Sequence, residues 1–157
     1  MRDHNRVIYT LPEDGVYADT EAYQAIIDCT GISDERSIFS AFMTALHFPS
    51  YFGWNWNALN DCLGDLDWIG NKYIHVVLSD FDCMIRAPKL EKKVGLLLRM
   101  MSDACHYLTR DVQAIHSPKV LVFDLDVSEA YVAIVEKLLS DQGIRTRKSI
   151  SKREVIH

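Results

Sequence analysis

Apolar and polar positions alternate with two periods along the chain, and each change of period marks an element. Ala25-Ile26-Ile27-Asp28-Cys29 is a short apolar run closed by Thr30-Gly31, which predicts a strand followed by a turn. Ile38, Phe39, Phe42 and Leu46 then recur at helical spacing. Ser33 or Asp34 is placed to cap that helix, and Pro49 lies beyond its end. Ile74-His75-Val76-Val77-Leu78 predicts a buried strand, ended by the polar pair Ser79-Asp80. Pro88 suits a first helical turn, and Leu90, Val94, Leu97, Leu98, Met101 and Cys105 form one stripe of a long helix. Val120-Leu121-Val122-Phe123 predicts a further strand. Ser128 predicts the cap of a final helix running through Leu139 and ended by Gly143.

Strands separated by helices predict an α/β fold: a parallel sheet of three strands, or four, packed by helices. Residues 1–22 form an N-terminal extension in this reading, residues 23–126 the main domain, and residues 127–157 a C-terminal helix and tail. Within the extension, Val7–Thr10 and Val16–Tyr17 flank the turn-forming Pro12-Glu13-Asp14-Gly15, a hairpin pattern.

The segment Asn55–Leu66 carries the chemistry. Asn55 is a good helix cap, and Leu59, Cys62, Leu63 and Leu66 fall at i, i+3, i+4 and i+7, forming a buried stripe. At 100° per residue, Asp61 points about 160° away from that stripe, and Asn57, Asn60 and Gly64 share its side. No Lys, Arg or Glu occupies this outward face. Short Asn and Asp side chains lose little rotamer entropy when a partner covers them, and a glycine lets a foreign backbone come close. Tyr51, Phe52, Trp54, Trp56 and Trp68 crowd the flanks, and tyrosine and tryptophan are enriched at interface hot spots. Phe52, Trp56 and Trp68 equally suit core positions. From the pattern alone, a solvated helix face beside a core aromatic cluster is the more ordinary explanation.

Charge and composition narrow the choice. The chain has 157 residues, 22 acidic against 17 basic, for a formal net charge of -5. Phosphate binding rests on Lys and Arg, so this balance argues against a direct nucleic-acid binder and suits a basic partner. The basic stretch Arg145–Arg153 is the exception, and such short runs are usually solvated. Cys29, Cys62, Cys83 and Cys105 are widely spaced, as in a reducing compartment. No leader-like apolar segment and no run near 20 apolar residues occurs, which predicts a cytoplasmic protein. His4, His47, His75, His106, His116 and His157 include no i, i+4 pair, and Cys62 falls on the buried stripe. Asp61, Asp65 and Asp67 lack a glycine-rich ligand loop, so neither a metal nor another cofactor is expected. Phosphate-loop, dinucleotide and nucleophile-elbow motifs are missing, and no enzymatic activity is expected.

The stretch Leu46-His47-Phe48-Pro49-Ser50-Tyr51-Phe52-Gly53-Trp54-Asn55-Trp56-Asn57-Ala58-Leu59-Asn60-Asp61-Cys62-Leu63 resembles the signature of the barstar family. The pattern there is Pro, two aromatics, Gly, a variable residue and Asn, then Asp-Ala-Leu-x-Asp-Cys-Leu. Element order agrees as well, over about 100 of the 157 residues. The resemblance implies a barstar-like fold and an inhibitor of guanyl-preferring ribonucleases, monomeric when unbound. It places Asp61 in the enzyme's phosphate site. Tyr51, Gly53 and Asn55 match the contacting loop and cap, Trp68 the interface tryptophan after a two-residue insertion, and Asp103 a further acidic contact. Asn57 stands where the family has aspartate, and Asn60 where a tryptophan occurs. The alternative is an immunity or interaction module that turns the same face to a different toxin or partner.

Overall fold

The computed structural model describes residues 4–16, 21–109 and 118–153. Among these residues five strands form one sheet: β1 (His4–Leu11), β2 (Tyr23–Asp28), β3 (Tyr73–Ser79), β4 (Val120–Ser128) and β5 (Arg147–Arg153), in the order β2-β3-β4-β1-β5. Helices α1 (Glu35–Leu46), α2 (Trp56–Leu63), α3 (Asp82–Arg86), α4 (Val94–Leu108) and α5 (Val132–Asp141) complete the fold.

The sheet is mixed, which corrects the expectation of three or four parallel strands. β2, β3 and β4 are parallel, with Ile26 opposite Val77 and Val77 opposite Asp124. β1 runs antiparallel to β4 and to β5, with Val7 opposite both Val127 and Ile150. Val7–Thr10 is thus a strand, but it pairs with the C-terminal half of the chain and not with Val16. Tyr17, His116 and His157 lie outside the described residues. The basic stretch predicted to be solvated supplies β5, an edge strand whose cations discourage further strand addition.

The start of α1 follows from a local interaction. The Asp34 carboxylate accepts the Ser37 amide at 2.8 Å and the Ser37 hydroxyl accepts the Asp34 amide at 3.0 Å, a reciprocal cap on α1. His47, in the left-handed region at φ 51°, ends it. Pro88 opens a 3-10 turn, Pro88–Leu90, and α4 begins only at Val94. β4 runs to Ser128, whose side chain makes no capping bond, and α5 starts at Val132. Gly143, at φ 67°, stops the chain beyond α5 as expected.

One core joins sheet and helices. Val7, Ala25, Ile74, Val76, Leu121 and Phe123 from the strands pack with Phe42, Leu46, Leu63, Leu97, Met101 and Val135 from the helices, all buried. Two aspartates of β4 are buried too, yet both are satisfied. Asp126 accepts the Arg6 Nε–H at 2.9 Å. Asp124 faces His75 Nε2 at 2.9 Å and accepts the Thr10 hydroxyl. Arg6 also reaches Asp80 at 3.0 Å and Asp82 at 3.4 Å, so one guanidinium ties β1 to β4 and α3.

Candidate functional site

The loop between α1 and α2 is built on aromatic packing. Phe48 and Phe52 are buried and meet edge to face at 5.0 Å, leaving Tyr51 between them 73% exposed. The Phe52 amide donates to the Pro49 carbonyl at 3.0 Å, which closes the turn. Trp54 takes a left-handed backbone at φ 55°, its ring against Phe52 and under the Arg36 guanidinium at 4.7 Å. Asn55 then accepts the Ala58 amide at 2.8 Å and donates to the Gly53 carbonyl at 3.1 Å. A Cβ on Gly53 would stand 3.2 Å from the Asn55 side-chain nitrogen, so glycine there keeps room for the cap.

On α2 the predicted faces separate. Leu59, Cys62 and Leu63 are buried, while Asn57, Asn60 and Asp61 are exposed. The helix ends at Leu63 and Gly64 caps it, so Leu66 lies past the helix, at φ 53°, though it remains buried. Burial, with Asp65 and Asp61 adding to it, pushes the Cys62 thiol up, which keeps it a packed, protonated group. A Cβ on Gly64 would meet its own chain no closer than 3.5 Å, so internal packing does not demand the glycine.

Asp61 makes no ion pair or hydrogen bond among the described residues. It lines a depression of about 400 Å³ between α2 and α4, together with Asn60, Gly64, Asp65, Asp103, Ala104 and Tyr107. Asp103 is held by Arg99 at 3.5 Å, and Asp65 accepts the Asp67 amide at 3.2 Å. Tyr107, 63% exposed, was not singled out from the sequence. It lies one turn after Asp103 on the side of α4 opposite the apolar stripe, and that spacing was the available signal. Trp68 is half-buried: its indole N–H donates to the Leu46 carbonyl at 2.8 Å and its ring stands edge-on to Phe48 at 6.0 Å. The structure therefore brings Asn60, Asp61 and Gly64 to one depression, with Asn57 on the same helix. Tyr51, Gly53 and Asn55 belong to the preceding loop, and Trp68 to the following one.

Among the described residues no group of three His, Cys, Asp or Glu side chains could hold a metal ion, and no helix is long and apolar enough to cross a membrane. What the site offers is an exposed carboxylate carried on a helix, with short polar neighbours and the exposed Tyr107 in the same depression. A family model described as Barstar (barnase inhibitor) matches residues 22–122. The chain belongs to the barstar family. No curated protein matches it. The family's description names an inhibitor of the ribonuclease barnase, so what the family match supports is a ribonuclease inhibitor or a related protein-interaction role. The family match covers β2, β3, α1 to α4 and the start of β4. β1, α5 and β5 fall outside it and extend the same sheet and core.

Proposed function

We propose that this chain inhibits a ribonuclease by seating α2 and its preceding loop in the enzyme's phosphate-binding site. Asp61 takes the place of the phosphate, Asn57, Asn60 and Gly64 let the enzyme surface come close, and Tyr51, Gly53, Asn55 and Trp68 form the rim. A ribonuclease site is concave and rich in Arg and Lys, and a carboxylate there makes charge-assisted hydrogen bonds without offering a cleavable bond. The observation that carries the reading is the exposed Asp61 carboxylate, which has no cation of its own chain to satisfy it among the described residues. The net charge of -5 favours encounter with a basic enzyme.

Asn57, in place of the family's aspartate, favours a second reading: the same face serves as an immunity module against a different toxin. Titration into guanyl-preferring ribonucleases separates the two. Stoichiometric loss of RNA cleavage supports inhibition. Full activity across the panel, with a non-ribonuclease toxin bound at the Asp61 face, supports the second.

A further inference from the structure

Lys119 immediately precedes β4 and is only 8% exposed, a rare state for a lysine. Its ammonium donates to the Ile69 carbonyl and, at 3.1 Å, to the Asn71 carbonyl. Both acceptors are neutral backbone groups of the loop that joins α2 to β3. A buried ammonium costs desolvation, and an apolar side chain of similar length would fill the same space without that cost. Burying a cation here instead fixes two peptide groups, which an apolar chain cannot do.

The loop it holds carries Trp68. The Ile69 amide donates to the Leu66 carbonyl at 3.0 Å, the Lys119 amide to Leu108 at 2.9 Å, and the Val120 amide to Lys72 at 2.8 Å. Trp68 itself touches the rest of the fold through its indole bond to Leu46 and its edge contact with Phe48. The loop is thus held from the sheet side by Lys119 and from the α1 side by the indole.

We propose that Lys119 is a positioning residue for Trp68, fixing the backbone one residue away so that the indole is presented in a single orientation against the end of α1 and the loop that follows it. The importance of that orientation for binding rests on the reading of Trp68 as a rim residue. The effect on Trp68 in the free protein does not.

The test uses the full chain and the substitution Lys119→Met, which keeps length and removes the donors. Indole N–H resonances of Trp54, Trp56 and Trp68 are followed by NMR and assigned with a Trp68→Phe variant. In K119M the Trp68 indole proton should exchange about tenfold faster or more, with Trp54 and Trp56 unmoved. K119R, which restores donors, should recover part of the protection. Equal loosening of all three indoles, or unchanged protection of Trp68 in a folded K119M, overturns the proposal. Should K119M not fold, K119L, which also removes the donors, is read in the same way; failure of both to fold makes Lys119 a fold-wide residue and also overturns it. Against a ribonuclease that the wild type inhibits, K119M should weaken binding, and much less so when Trp68 is already alanine. If the wild type inhibits no ribonuclease, the indole exchange still decides the role of Lys119.

Discussion

The Asn55 side-chain oxygen accepts the Ala58 amide at 2.8 Å, so the residue that ends the aromatic loop also starts the helix bearing Asp61. Loop and helix are one unit through this bond. Asn55→Ala should lower stability by about 1 kcal/mol, the usual cost of a lost cap, and Asn55→Asp should retain most of it. Urea denaturation of the free protein measures this without any partner.

Arg6 is the second pivot. Its guanidinium faces Asp80, Asp82 and Asp126, and the last two are almost fully buried. Arg6→Met should cost about 3–5 kcal/mol, because breaking a buried pair strands charge with no partner. A midpoint in urea close to that of the wild type would contradict the structural role given to β1.

Acid should destabilise the fold in a defined window. The Asp34 carboxylate, accepting the Ser37 amide, is held below its ordinary 3.8. Glu136, bonded first to the Lys148 ammonium and then to the Tyr9 hydroxyl, is held below 4.5. Both folded values are depressed, so their contribution is present above the ordinary values and lost as pH falls through the folded ones. Glu136→Gln should therefore be less stable than wild type at neutral pH, with the gap closing below about pH 4. Denaturation midpoints across that range check the sign.

Asn57 stands one turn before Asp61 on the exposed face. Asn57→Asp should raise the association rate with a basic ribonuclease at low salt, and added salt should erase the gain. Stopped-flow fluorescence measures this; a flat or slower rate would indicate a target surface that does not reward a second carboxylate.

Much of the fold was legible because its signals are local. β2, β3, α1 and the stripes of α2 and α4 follow from apolar spacing, and Asp34 and Asn55 from cap chemistry. What escaped depends on distant partners. β4 looks interrupted by Asp124 and Asp126, and distant partners such as Arg6, Thr10 and His75 make those carboxylates tolerable in a strand. β5 has the charge pattern of a solvated tail because an edge strand needs little burial. α3 spans five residues, too few to show a period. In the site, the outward side of α2 was readable from one helical wheel, whereas the depression shared with Asp103 and Tyr107 exists only because α2 packs on α4.

The most direct measurement is calorimetric titration of wild type and Asp61→Ala against a guanyl-preferring ribonuclease that the wild type inhibits. Asp61→Ala should lose at least about 2 kcal/mol of binding while its unfolding midpoint stays at the wild-type value. Equal affinities for the two proteins would remove Asp61 from the interface and contradict the account.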